Sequence, residues 1–137
     1  EITIRIPKIN NLSDDSQIEI KDNGKGMSLE QLSNSLRAGF SNNSPVDKMG
    51  LFGMGFNIST ARLGAKTEVW STTVDSQDWI CITIDFDELD KKARQSKDHN
   101  EIWSAPVSRV RKTSPELERL TSGTVVKISK LKPEIKN

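Results

Sequence analysis

Apolar and polar residues alternate in two short runs near the start of the chain. Three isoleucines alternate with Thr and Arg over residues 2–6, and Pro7 ends the run, so a half-buried strand is predicted here. A second alternating run covers residues 18–21. A polar loop rich in Asn, Ser and Asp separates the two runs. We therefore expect the two strands to pair as a hairpin.

Two helices are predicted from apolar spacing and capping residues. Asp-Asn-Gly follows the second strand, and such a tripeptide usually makes a tight hairpin turn. Here, however, Ser28 and Gln31 form a capping box, and leucines recur at helical spacing over residues 29–36. A helix is therefore predicted instead of a third strand. A second helical pattern covers about residues 56–63 and stops at Gly64.

The second half of the chain is predicted to consist mostly of strands. These strands cover residues 67–74, 79–86, 102–110 and 122–131. The third of them contains Pro106, which cannot donate to a ladder, and so should be an edge strand. Residues 87–99 are highly charged and predict a short solvated helix and a loop, and residues 38–48 predict a mobile loop. Strands in runs and helices in a group indicate an α+β two-layer sandwich with a mostly antiparallel mixed sheet and helices on one face.

Composition narrows the classes of function. The 137 residues fit one domain, and the net charge of +1 excludes bulk electrostatic capture of nucleic acid as the main function. The single Cys81 lies in an apolar run, which favours a reducing, intracellular setting. His99, the only histidine, has no companion at metal-binding spacing. No apolar stretch approaches the roughly 20 residues that span a bilayer. We therefore expect no membrane partner.

A glycine-rich segment precedes the second predicted helix. Gly50, Gly53 and Gly55 would let the backbone approach an anion, and the helix start offers free N–H groups. The segment is not a P-loop, because Phe56-Asn57 stands where Lys and Ser or Thr are required. It is not a Rossmann fingerprint either, because Ile58 replaces the third glycine. Taken alone, these glycines leave two readings open, a nucleotide site and a flexible loop that packs against a helix.

The motifs taken together are more specific. The chain has D-x-G-x-G-M after a strand, G-x-x-G-x-G-F into a helix, and a late G-T in a strand. Their order resembles the GHKL ATPases, which include topoisomerase ATPase domains, large heat-shock chaperones, sensor histidine kinases and MutL. The stretch MGLFGMGFNISTARLGAKTEVWSTT looks closest to the chaperone, MutL and MORC branches. The resemblance covers about residues 18–131 and implies a Bergerat-type fold that binds ATP.

The resemblance also implies which residues hold the nucleotide. Asp22 would accept a hydrogen bond from the adenine amino group, and Gly24 and Gly26 would let the base come close. Met27 would pack on the adenine ring, and Thr124 would support the base. Residues 42–48 would belong to the nucleotide lid. The phosphates and the hinge of that lid would involve Ser41, Gly50, Leu51, Phe52, Gly53, Met54, Gly55 and Phe56.

The general base and the Mg²⁺ ligand of GHKL ATPases lie on an E-x-x-x-N helix that precedes the D-x-G-x-G strand. Upstream of Asp22 this sequence has only strand and loop, so residues 1–137 read as a single, partial domain with no catalytic or metal residue. Two other Glu and Asn pairs have the right gap. Glu19 and Asn23 lie across a strand and a turn, and Glu30 and Asn34 lie after the D-x-G-x-G motif, so neither pair fits. We expect this chain alone not to hydrolyse ATP efficiently.

The sequence therefore predicts the ATP-binding core of a GHKL-type ATPase, in which nucleotide drives a conformational or dimerisation switch of a larger protein. Its expected partners are ATP with Mg²⁺, the remainder of the parent protein and a second copy of itself. Nucleic acid is not indicated by the charge. The expected location is the cytoplasm or the nucleus. The alternative is a degenerate GHKL fold without turnover that serves as a protein- or nucleic-acid-binding module.

Overall fold

The computed structural model describes residues 1–37, 56, 59–95, 106–113 and 120–132. Its strands are β1 (Ile2–Arg5), β2 (Ile18–Asp22), β3 (Gly64–Thr72), β4 (Asp78–Asp85), β5 (Val107–Arg111) and β6 (Gly123–Leu131). Its helices are α1 (Leu29–Arg37) and α2 (Phe86–Gln95), with a 3-10 turn at Ile9–Asn11. Residues 56 and 59–63 are also helical. The predicted loop at residues 38–48 and His99 lie outside these ranges.

The strands form one sheet in the order β1-β2-β6-β3-β4-β5. All five pairings between these strands are antiparallel. The predicted hairpin of β1 with β2 is confirmed, and so are the pair of β3 with β4 and the edge position of β5. The last strand, β6, lies between β2 and β3 and joins the N-terminal hairpin to the rest of the sheet.

The helices cover one face of the sheet. The strand registers put Val69, Ile82 and Val126 on this face, where they pack with Leu32 and Leu36 of α1. Leu32 is fully buried because the helical spacing of the α1 leucines turns them all toward the sheet. Side chains of α2 join the same apolar cluster. The predicted α+β two-layer fold with helices on one face is therefore confirmed.

The opposite face is partly aromatic and partly charged. Trp79 is 1% exposed and packs with Val125, with Trp70 half-buried beside them. Across β2, β6 and β3 the register aligns Glu19, Lys127 and Glu68 in one row. Opposite charges directly across strands stabilise a sheet that faces water. This face therefore combines a charged row with a buried aromatic end.

The isoleucines at residues 2–6 were expected to be half-buried, and this prediction is wrong. Ile2, Ile4 and Ile6 are 71%, 60% and 70% exposed. The register pairs Ile4 with Ile20, so the row lies on the helix-covered face. It is exposed because β1 is the edge of the sheet and none of the helices that the structure describes reaches over it. We call Ile2, Ile4 and Ile6 the isoleucine row.

Candidate functional site

The turn after β2 ends the strand and starts α1. Asp22 is the last residue of β2, and its Oδ1 accepts a hydrogen bond of 2.8 Å from the backbone N–H of Gly24. This local bond holds the chain in a turn and draws it away from a hairpin. The predicted capping box is confirmed, because Gln31 Oε1 accepts from Ser28 N at 2.9 Å and Ser28 Oγ accepts from Gln31 N at 3.3 Å. The chain therefore passes from strand to helix within six residues.

Two glycines allow this turn to lie directly on the end of the sheet. Gly26 has φ +71, and a Cβ there would lie 1.8 Å from the carbonyl oxygen of Thr72. Gly123 has φ +150, and a Cβ there would lie 2.2 Å from the carbonyl oxygen of Asp22. A side chain at Gly26 would push the turn away from the end of β3, and a side chain at Gly123 would push β6 away from β2. Close backbone approach therefore explains both glycines.

Three polar side chains form a row across the sheet beneath this turn. Asp22 of β2 pairs in register with Thr124 of β6, and Thr124 pairs with Ser71 of β3. Ser71 is completely buried and Thr124 is half-buried. Their hydroxyl oxygens are 3.0 Å apart. Asp22, Thr124 and Ser71 lie on the helix-covered face, and we call them the polar row.

Ser71 connects the polar row to the turn. Its Oγ accepts a hydrogen bond of 2.8 Å from the backbone N–H of Met27 and donates one of 3.1 Å to the carbonyl oxygen of Gly123. Met27 is half-buried, and its side chain packs against the apolar cluster between the helices and the sheet. The hydroxyl of one buried serine thus fixes the distance between the turn and β6.

A second set of contacts holds the segment before β6. Ser122 Oγ donates to the carbonyl oxygen of Gly24 at 2.8 Å. Lys112 Nζ donates to the carbonyl oxygens of Thr121 and Thr73, at 2.6 Å and 2.9 Å. The side chains of Ser122 and Lys112 therefore tie this segment to the turn after β2 and to the end of β3. These hydrogen bonds hold the segment before β6 in a fixed position relative to the polar row.

Sequence reasoning missed several of these residues. It identified Asp22, Gly24, Gly26, Met27 and Thr124, and the structure brings all five to one end of the sheet. It did not identify Ser71, Ser122 or Lys112. Gly123 entered only as the glycine of the late G-T motif, and its close approach to the carbonyl oxygen of Asp22 is visible only in the fold. No local signal points to Ser71, which acts through the pairing of β3 with β6.

Most predicted phosphate-binding residues lie outside the described ranges. These are Ser41, Gly50, Leu51, Phe52, Gly53, Met54 and Gly55. Phe56 is described; it is helical and half-buried, and it packs against the same apolar cluster as Met27. The described residues therefore form only the end of the predicted site that would hold a base.

The chemistry of this end is that of a hydrogen-bond acceptor. A carboxylate accepts only, and a threonine hydroxyl accepts through two lone pairs and donates one proton. Among the residues that the structure describes, no three His, Cys, Asp or Glu side chains approach closely enough to hold a metal ion. None of the described helices is long and apolar enough to cross a bilayer.

Two other features lie away from the site. Cys81 points to the opposite face of the sheet, and burial raises the pKa of its thiol from 9.0 to about 11. An apolar cavity of about 190 Å³ lies at the far end of β4, between α2 and Pro106. Neither the thiol nor the cavity contacts the polar row.

Comparison with known proteins decides the family. Residues 1–123 match the family of histidine kinase-, DNA gyrase B- and HSP90-like ATPases. The chain belongs to this ATPase family. The match covers most of the chain and includes every residue of the turn after β2, and it ends just before Thr124. The resemblance to GHKL ATPases predicted from the motifs is thereby confirmed.

Part of the chain is also similar to a curated protein of the MORC type. The chain is 40% identical over 70 residues to Protein MICRORCHIDIA 4 of Arabidopsis thaliana. The aligned region covers 50% of this chain and 9% of that relative. The chain thus corresponds to a small part of the MORC protein, and the relative's name supports the MORC branch among the three branches predicted from sequence.

Proposed function

We propose that this chain is the ATP-binding core of an ATPase in which bound nucleotide switches the conformation or the dimerisation of a larger protein. One observation carries the proposal. Asp22 and Thr124 are register partners on the helix-covered face, and Gly26 lets the turn lie beside them without a side chain in the way. Family membership makes ATP the expected ligand of such a site.

The proposed contacts follow from the chemistry of the polar row. The Asp22 carboxylate accepts a hydrogen bond from the adenine amino group, and such bonds to a charged group contribute about 1.5–3 kcal/mol. Thr124 lies next to it in register and supports the same edge of the base. Met27 offers a soft, adaptable surface for the ring. All three are held by contacts that exist before any ligand binds, so little ordering cost is expected.

We further propose that the phosphates bind the glycine-rich segment with Gly50, Gly53 and Gly55, and that Ser41 and residues 51, 52, 54 and 56 complete this part of the site. The E-x-x-x-N helix that supplies the general base and the Mg²⁺ ligand in GHKL ATPases is not found before Asp22 in this sequence. Hydrolysis needs a positioned water and neutralised phosphate charge. The chain by itself should therefore bind ATP without efficient turnover.

Thermal unfolding with and without millimolar ATP tests this proposal. ATP at about 100 times its Kd adds roughly 2.7 kcal/mol to the free energy of unfolding, a rise of several degrees in Tm for a domain of this size. Asp22→Asn keeps the Oδ1 that accepts from Gly24 N, so the turn should survive while the charged acceptor is lost. Asp15→Asn, at an exposed position far along the β1–β2 loop, is the matched control.

The expected result is a Tm rise with ATP in the wild type and in Asp15→Asn, and a much smaller rise in Asp22→Asn. An equal rise of Tm in the two variants would mean that ATP binds away from Asp22, and it would contradict the proposed contact with the base. No rise in any protein would favour the alternative, a binding module that has lost nucleotide. Sustained ATP turnover by the wild type that Asp22→Asn abolishes would contradict the expected lack of hydrolysis.

A further inference from the structure

Resting on the proposed function, we infer that Ser71 sets the hydrogen-bonding direction of Thr124 and thereby selects a base with an amino group over a base with a carbonyl group. Ser71 is a positioning residue in this inference, because it acts through Thr124. It touches no ligand itself, since it is completely buried behind Thr124 and Met27.

Ser71 has a single hydroxyl proton to share among its polar contacts. A serine hydroxyl has one proton to donate and two lone pairs that accept. Ser71 Oγ has three polar neighbours, at 2.8 Å, 3.1 Å and 3.0 Å: the backbone N–H of Met27, the carbonyl oxygen of Gly123 and the hydroxyl of Thr124. The N–H can only donate and the carbonyl can only accept. Only the Thr124 hydroxyl can take either direction.

One arrangement satisfies all three contacts at once. Ser71 donates its proton to Gly123, accepts from Met27, and uses its second lone pair to accept from Thr124. The reverse direction would give the Ser71 proton to Thr124 and leave the buried contact with Gly123 unmade, which is costly inside a protein. The Thr124 proton is therefore directed at Ser71.

The consequence appears on the ligand side of Thr124. With its proton directed inward, Thr124 offers only lone pairs to a bound base. Asp22, its register partner, is an acceptor as well, and Gly24 N–H already occupies Oδ1. Two neighbouring acceptors match an amino group, which carries two N–H donors. A carbonyl group at the same place on a purine would face two acceptors and find no donor.

ATP and ITP are the two nucleotides to compare. At this position of the purine ring ATP carries an amino group and ITP carries a carbonyl group. A site built on hydrogen bonds to a ligand donor rejects an analogue that cannot make them, often by factors well above tenfold. We expect the wild type to bind ATP at least about tenfold more tightly than ITP, measured by isothermal titration calorimetry. Ser71→Ala frees the Thr124 proton to turn toward a carbonyl, so this ratio should fall about tenfold.

Two comparisons separate this effect from a general loosening of the site. Ser122→Ala removes a contact with the same turn but does not touch Thr124, and it should leave the ratio of the two Kd values unchanged. In a Thr124→Val background, Ser71→Ala should change the ratio no further, because coupled residues are not additive. Ser71→Cys, with a weak donor and acceptor of similar size, should give an intermediate ratio and serves if Ser71→Ala fails to fold.

An equal loss of ATP and ITP affinity in Ser71→Ala, with an unchanged ratio, would overturn the inference and leave Ser71 a merely structural residue. The ligand-free protein gives a second readout by NMR. The Thr124 hydroxyl proton should exchange slowly in the wild type and rapidly in Ser71→Ala or Ser71→Cys. If the wild type binds neither nucleotide, the proposed function fails, and the exchange of this proton alone decides the assignment to Ser71.

Discussion

Replacement of Gly26 by Ala tests how closely the turn after β2 approaches the sheet. The new Cβ would lie 1.8 Å from the carbonyl oxygen of Thr72, which is backbone and cannot rotate away. At φ +71 a residue with a Cβ also costs about 1–2 kcal/mol. If the turn moves to relieve the clash, the hydrogen bond from Met27 N to Ser71 Oγ is lost, which lowers the free energy of unfolding further, by about 0.5–1.5 kcal/mol.

Together these costs predict that Gly26→Ala lowers the free energy of unfolding by about 1.5–3.5 kcal/mol. For a chain of this length each kcal/mol corresponds to roughly 3–5 °C, so Tm should fall by about 5–17 °C. Urea unfolding followed by tryptophan fluorescence gives the free energy, and calorimetry gives Tm. ATP binding should weaken as well, because the base end of the site moves with the turn.

Gly24→Ala is the matched control, two residues away in the same turn. Its Cβ would meet Asp22 Oδ1 at 2.8 Å, and that atom is the far end of a side chain that can rotate. No positive φ is involved at Gly24. We expect a loss of less than about 1 kcal/mol in stability, with a weaker ATP contact because Asp22 is displaced. If the Tm of Gly26→Ala lies within about 2 °C of the Tm of Gly24→Ala, the inferred close approach of Gly26 to the Thr72 carbonyl is wrong.

Two further predictions concern the isoleucine row and Cys81. Ile4→Thr should reduce self-association at high protein concentration, measured by sedimentation velocity, because Ile4 is 60% exposed on the isoleucine row. The free energy of unfolding should not fall, because Thr suits a strand. An unchanged sedimentation coefficient, or a Tm loss of several degrees, would argue against this prediction. Burial raises the pKa of the Cys81 thiol from 9.0 to about 11. Between these two pH values the folded state keeps a proton that the unfolded state has released. The contribution of Cys81 to stability should therefore be full below pH 9 and should fall as the pH rises toward 11. Cys81→Ala should lose this pH dependence, and a fall of equal size in that variant would assign it to other groups.

The sequence predicted those features that depend on neighbours in the chain. The capping box at Ser28 and Gln31 and the leucine spacing that follows it were enough to replace a hairpin by a helix. The polar loop between the first two strands was enough to predict their pairing. The glycines around Asp22 marked the turn, although the reason for Gly26, an approach to Thr72, needs the fold.

Features that depend on distant pairing were not predictable in this way. Ser71 meets Met27 across 44 positions and Thr124 across 53, and only the register of β3 with β6 brings them together. Alternation alone could not show that the isoleucine row is exposed, because alternation predicts which residues share a face and not what covers that face. The predicted phosphate-binding residues outside the described ranges stay predictions.

The position of β6 has a consequence for how the chain is made. β2 and β3 never pair with each other, and both pair with a strand that begins at Gly123, about a hundred residues after β2. During synthesis the N-terminal hairpin and the β3–β5 strands therefore each present an unpaired edge until β6 leaves the ribosome. Such late, long-range pairing slows folding and exposes edges to other chains. Nascent chains that stop before Gly123 should thus depend on chaperones, while chains that already include β6 can join β2 to β3 through it.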